Sequence, residues 1–272
     1  MGSRDAHHSR RDTLRSMLVL PVRLALAGAL GACAGMQQES KQRHVASVLK
    51  FLYPGSDTPE PPSQKLAEIH VPFRIGVAFV PDELGSASRL SEPERQALAS
   101  RVRDAFADYP FVRHIEAVGS LYLEPGGGFG NLDRVGAMLN LDMIALISYD
   151  LVQHADSSGW SFLYWTGVGA YLIEGDRFDV LTAVDCAVID IRSRRLLMHA
   201  GGTARDRGSA TLVGFSEKSR EARSRSLVAA IDQMIPALKA EVARFRESAP
   251  RDPTIKLILP PGYDPRARKS GG

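Results

Sequence analysis

The chain has 272 residues, 34 Lys and Arg against 31 Asp and Glu, only two cysteines, and 44% hydrophobic residues. Residues 1–32 hold five of the arginines and two of the aspartates, so residues 33–272 carry 29 basic and 29 acidic groups and the net charge of +3 belongs to the leading segment. The length is enough to bury a core, the neutral balance gives no electrostatic case for nucleic acid, and two cysteines are too few for a disulfide framework.

Chain order starts with an apolar run at residues 24–29, followed by Leu30-Gly31-Ala32-Cys33. The run is far shorter than the about 20 residues a spanning helix needs, and Arg23 precedes it. A Leu, two small residues and a Cys at the end of such a run read as a lipobox. Leu30, Gly31 and Ala32 fit a signal peptidase, and the Cys33 thiol accepts a diacylglycerol before its freed amine takes an N-acyl chain. Residues 1–32 are therefore expected to be a signal peptide and are left out of fold reasoning. Two starts are open: Met17, or Met1 with Arg10-Arg11 in a degenerate twin-arginine signal in which Thr13 replaces the usual apolar residue. Two or more acyl chains anchor a protein stably, and Ala34 behind the cysteine favours the periplasmic face of the outer membrane. No cofactor is expected beyond this covalent lipid.

Residues 34–43 read as a polar tether, 44–53 as a short helix with Val45, Val48, Leu49 and Leu52 on one face, and 54–63, with four prolines, as an extended linker. The lipidated cysteine, helix and tether thus occupy 33–70, and a globular domain is expected over 71–248. It opens with a strand at 74–80. Ser91 and Glu94 form a capping box with Pro93 in the first turn. Leu98, Val102, Ala105, Phe106 and Tyr109 continue that helix as one stripe, closed by Pro110. A strand over 111–123, a loop at Gly126–Gly130 and a short helix marked by Leu132, Val135, Met138 and Leu139 follow. The near-continuous apolar run at 143–152 predicts a central strand covered on both faces.

Strands are predicted at 161–173 and 180–191, a turn at Arg192–Arg194, a return strand at 195–204 and a long helix over 217–247. Leu227, Ile231, Ile235, Leu238, Val242 and Phe245 form the core stripe of that helix, with a kink predicted at Pro236. Residues 249–272 read as a Pro-rich basic, extended tail. The predicted fold class is α/β (α+β mixed): a single domain with a central mixed sheet flanked by helices, a C-terminal β-hairpin and a long C-terminal helix.

Chemistry-bearing residues are sparse. The glycines at 126–130 precede a helix and could cradle phosphate, but no Lys-Ser/Thr follows and the dinucleotide spacing fails, so a simple connection is the plainer reading. Asp150, His154 and Asp156 share one face if the central strand runs that far, which makes them the weak metal candidates. Otherwise no metal site is expected. His199 reads as a strand residue facing water, and Cys186 as a buried small hydrophobe. No Gly-x-Ser-x-Gly elbow occurs, and no catalytic pair is marked. Trp160, Phe162 and Tyr164 would share one strand face, with Trp165 on the other, giving either a partner-facing surface or a hairpin packed into the core. Arg220, Arg223 and Arg225, with Glu217 and Glu221, read as a solvated helix face.

The lipobox ending at Cys33, together with segments 47–54, 74–81, 146–152 and 182–202, resembles the rhombotarget lipoprotein family. That resemblance implies a bacterial envelope lipoprotein of unassigned activity, associated with a rhomboid-type intramembrane protease, and supplies no catalytic residues. The element order also looks like periplasmic lipoprotein domains of curli secretion channel subunits and penicillin-binding-protein activators, an analogy of fold alone. The expected role is a membrane-anchored, non-catalytic binding or accessory module whose partners are the membrane, through its anchor, and an envelope protein or polymer. A subunit of an oligomeric export assembly and a metal-dependent hydrolase are the alternatives.

Overall fold

In a computed structural model, residues 40–55, 66–82, 90–157, 176–210 and 215–263 are described, with the side chains of 40–46, 154–157, 176, 177, 210 and 215 set aside. The elements in order are β1 (Ser40–Ala46), α1 (Val48–Leu52), β2 (Ala67–His70), β3 (Phe73–Phe79), α2 (Glu92–Phe106), β4 (Val112–Ala117), α3 (Gly128–Leu139), β5 (Met143–Ser157), β6 (Asp176–Asp190), β7 (Arg195–Ala210), α4 (Phe215–Ser248) and β8 (Ile255–Ile258). The main sheet has the order β4-β3-β5-β6-β7, and β1 also pairs with β5. The β4-β3-β5 part is parallel and the β5-β6-β7 part antiparallel. The predicted class, a mixed α/β domain, is the one observed.

The apolar run predicted for the sheet centre does lie there. Ile144, Leu146 and Ile147 are fully buried because both faces of β5 are covered. Each contributes roughly 1.5–3 kcal/mol relative to an exposed position. Val102 of α2 and Leu238 of α4 pack together over Val77 and Ala145 on one face, and Arg101 of α2 pairs with Asp232 of α4 at 2.6 Å. On the other face, α3 approaches closely at Gly136, where an added Cβ would stand 2.9 Å from Ile191. Helix α2 starts as its sequence predicts: the Ser91 N–H donates to the Glu94 carboxylate at 2.9 Å, and Leu98, Ala99, Val102 and Phe106 are buried.

Several boundaries differ from the sequence-based expectation. Residues 40–43, read as tether, belong to β1, which pairs antiparallel with Tyr149–Ala155 of β5. Ladder hydrogen bonds need no apolar pattern, so SKQRHVA gave no strand signal. Helix α1 consequently begins at Val48 rather than His44, with the Ser47 side chain accepting from the Lys50 N–H. Two further strands lie outside the predicted domain limits of 71 and 248: β2 and β8 pair parallel as a small separate sheet, Ala67 opposite Ile255 and His70 opposite Ile258. The predicted extended tail is thus partly a strand. The strand predicted over 111–123 stops at Ala117, and the chain then makes a tight turn at Ser120–Tyr122. Strands β6 and β7 run longer than predicted, to Asp176 and Ala210. Pro236 lies inside α4 without ending it. The predicted strand 161–173 lies outside the described residues.

The predicted glycine loop is half helix, since α3 begins at Gly128. Its glycines serve packing. Gly126 and Gly128 have φ of +67° and +60°, and a Cβ on Gly128 would stand 3.2 Å from the Leu52 carbonyl of α1. Asn131 clamps the loop by accepting from the Glu124 N–H at 3.0 Å and donating to the Tyr122 carbonyl at 3.1 Å.

Candidate functional site

The two ends of the parallel strands have opposite characters. Beyond the carboxyl end of β3, Asp82 accepts a hydrogen bond from the Tyr149 hydroxyl at 2.6 Å and pairs with the Arg95 guanidinium of α2. Arg95 Nη1 donates to Ser120 Oγ at 3.2 Å. The Ser120 N–H donates to Glu92 at 2.8 Å, and its hydroxyl bonds the same carboxylate. Open α/β sheets often hold ligands at such carboxyl ends, where the strand order reverses. Here Asp82, Glu92, Arg95, Ser120 and Tyr149 satisfy one another instead. Among the described residues, only Arg95 Nε is a buried side-chain polar atom without a hydrogen bond. Sequence reasoning singled out Glu94 of this helix start but neither Asp82 nor Arg95, because nothing local marks a pairing across 13 residues.

Burial, with the hydrogen bond to Asp82 and its charge, raises the Tyr149 pKa well above the usual phenol range. Burial, with the Asp185 charge, pushes the Cys186 thiol up to about 12. In both cases the fold favours the protonated form. Their contributions are therefore complete below the unfolded pKa values, about 8.5 for Cys and about 10 for Tyr, and are lost as pH rises above them. Urea midpoints measured from neutral to strongly alkaline pH should fall along this limb. Tyr149→Phe and Cys186→Ala should each flatten it, and a limb unchanged in both variants would contradict the assignment.

At the amino ends of the same strands the surface opens into an apolar cavity of about 460 Å³. Phe73, Met143 and Met198 form its floor, Val242 and Phe245 of α4 one wall, and Ile69 and Leu257 of the small β2–β8 sheet its roof. A narrower apolar space of about 40 Å³ shares Phe73, Phe111, Met198 and Val242 with it and reaches Val77 and Leu238. Phe111 stands in an aromatic row, its ring 5.7 Å from Phe73 and 4.9 Å from Tyr109. Arg246 lies 5.4 Å above the Phe111 ring. The volume falls within the range of small-ligand pockets, about 300–1,000 Å³, and mostly apolar walls with few polar groups are usual for them. Such a lining can desolvate an apolar ligand. Its polar lining residues are Arg246, Glu247 and Tyr263. Val242 and Phe245 belong to the predicted helix stripe, whereas the roof was missed. The signal that could have found it is the apolar cluster Ile255, Leu257, Ile258 and Leu259 within a tail read as extended.

Among the described residues, Asp150, Cys186 and His199 do not line this cavity. Cys33, Leu30, Gly31 and Ala32, and the aromatic residues Trp160, Phe162, Tyr164 and Trp165, lie outside the described residues. Strand β5 does run through Asp150, His154 and Asp156, placing them at even spacing as the metal reading requires. Asp150 stands half-buried opposite Ala183, and among the described residues no group of three or more His, Cys, Asp or Glu side chains could hold a metal ion. His199 is an exposed strand residue, its Nδ1 4.0 Å from Asp185. Cys186 is fully buried, as predicted. The solvated face predicted on α4 is only partly so. Arg225 pairs with Asp206 at 2.9 Å, but Arg223 turns inward to donate to Gln153 at 3.3 Å. Among the described residues, no helix is long and apolar enough to cross a membrane.

No family model and no curated protein matches this chain. Among solved structures, it is similar to a neuraminyllactose-binding hemagglutinin homolog from Helicobacter pylori, at 7% identity and a TM-score of 0.36, over 74% of this chain and 98% of that one. It is similar to a DUF330 protein from Xanthomonas campestris at 10% identity and a TM-score of 0.31, over 70% of this chain and 94% of that one. A PelC dodecamer from Paraburkholderia phytofirmans matches at 11% identity and a TM-score of 0.24, over 71% of this chain and 98% of the other. With every score below 0.5, these likenesses carry no argument about activity.

Proposed function

We propose that this chain is a bacterial envelope lipoprotein, tethered through acyl chains on Cys33 at the periplasmic face of the outer membrane, whose domain acts as a non-catalytic binding module. The observation that carries the binding half is the apolar cavity roofed by β2 and β8. It is a concave, mostly apolar feature of the kind that binding proteins use. The lipobox carries the address, and the resemblance of segments 47–54, 74–81, 146–152 and 182–202 to rhombotarget lipoproteins agrees with it. The polar cluster at Asp82 is a structural brace in this reading, because its charged groups are already spent on each other.

Cell fractionation of a Cys33→Ala variant tests the anchor. The wild-type chain should sediment with outer membranes and the variant, which can take no lipid at this position, should leave that fraction. Outer-membrane retention of the variant at the wild-type level would defeat the address.

A further inference from the structure

We infer that two copies of this chain join through β4, paired antiparallel about Ile115, so that His114 of each copy faces Glu116 of the other. Among the described residues no strand pairs with the outer side of β4, and an open edge is a template for another strand. The Val118 N–H turns inward to the Val77 carbonyl of β3 at 2.8 Å. Backbone groups alternate sides along a strand, so His114 and Glu116 also bond inward, to the ladder they form opposite Arg74 and Gly76. Ile115 and Ala117 then present their N–H and C=O groups outward. The Ala117 carbonyl confirms the direction, since it accepts from the exposed Gln96 side chain at 3.1 Å. A two-fold axis through the outward Ile115 gives that residue two bonds to its own counterpart. It sets His114 and Glu116 in the adjoining pairs, where Cα atoms stand about 4.5 Å apart and side chains are closest. The symmetry makes the pair twice. His114 is exposed and Glu116 half-buried, neither has a partner among the described residues, and an imidazole N–H can donate to a carboxylate. Centring the pairing on Glu116 instead would oppose two carboxylates, which is destabilising. The other edges suit a second copy less well. On β7, α4 closes the middle of the edge: Gln233 accepts from the Thr203 N–H at 3.3 Å, and Gly202 lies against the Ala230 carbonyl. Strand β1 holds Lys41 and Arg43 and no acid, so two copies of it would oppose like charges.

The test uses the full chain with Cys33→Ala, so that association cannot run through acyl groups. A short edge buries little area, below the about 1,200 Å² of standard interfaces, so sedimentation velocity over about 0.01–1 mM should show reversible monomer–dimer exchange. His114→Glu opposes two carboxylates in both pairs, and Glu116→Lys leaves the imidazole facing a cation; each should weaken the dimer at least about fivefold. Thermal melts of both variants are recorded alongside, because Glu116 is half-buried. The double variant, His114→Glu with Glu116→Lys, restores the pair with the charges exchanged and should recover wild-type association. Hydrogen exchange reads the backbone: the Ile115 amide should slow at least about tenfold at concentrations that favour the dimer, while the His114 and Glu116 amides, already bonded to β3, keep their rates. A monomer throughout the range, or a dimer indifferent to both single variants, would overturn the proposal. A dimer weakened by each single variant and not recovered by the double one would overturn the pairing about Ile115.

Discussion

Arg95→Met should lower the unfolding free energy by about 3–5 kcal/mol, the cost of leaving a buried carboxylate without its cation. The side chains of Arg95 and Asp82 are only 10% and 4% exposed, so water cannot replace the lost partner. The Tyr149 hydroxyl would remain as a donor to Asp82, but one neutral hydrogen bond contributes only about 0.5–1.5 kcal/mol net. Adding Asp82→Asn to the variant removes the stranded charge and should recover a large part of the loss. Guanidinium unfolding at constant m value measures both. A loss below about 1 kcal/mol for Arg95→Met would mean that Asp82 reaches solvent and that the cluster is not the brace described.

Gly202→Ala should be comparably severe, destabilising by about 3 kcal/mol or more, at or beyond the upper end of ordinary overpacking. The reason is a backbone-to-backbone contact. A Cβ at position 202 would stand 2.1 Å from the Ala230 carbonyl oxygen and 2.7 Å from the Met234 nitrogen, so it would meet rigid helix backbone and no movable side chain. Strand β7 and helix α4 touch there directly, and α4 would have to lift away from the sheet. Moving α4 would also disturb Ser226, whose hydroxyl bonds Thr182 at 2.8 Å in the same buried layer. A variant that melts like the wild type would contradict this packing. Gly130 on α3 is exposed and a Cβ there would meet nothing within 4 Å, so Gly130→Ala is the control.

Legibility in the sequence followed the locality of the interactions. The capping box at Ser91, the α4 stripe and the β6–β7 hairpin depend on residues close in sequence, and each was visible as a spacing. The run at 143–152 was visible because burial on both faces leaves few polar positions. Strand β1 was invisible, since an added strand draws its stability from ladder bonds to β5. The β2–β8 sheet was invisible for another reason: Glu68 and Lys256, joined at 3.0 Å, are 188 residues apart. The apolar cavity depends on that pairing for its roof, so its site could not be assembled from either segment alone. The same holds for Asp82, Arg95 and Tyr149, which meet only once β3, α2 and β5 are in place. Of the metal candidates, Asp150 stands at a half-buried sheet position, and the side chains of His154 and Asp156 lie outside the described ones.

Methyl NMR of the Cys33→Ala chain with labelled methionine, followed during a titration with the apolar probe anilinonaphthalenesulfonate, addresses the binding module most directly. Met143 and Met198 line the cavity, Met138 is exposed on α3, and Met234 is buried against β7. Saturable shifts at Met143 and Met198, with Met138 and Met234 unmoved, are the predicted result. No shift at Met143 and Met198, or a shift confined to Met138, would contradict the placement of the ligand under β2 and β8.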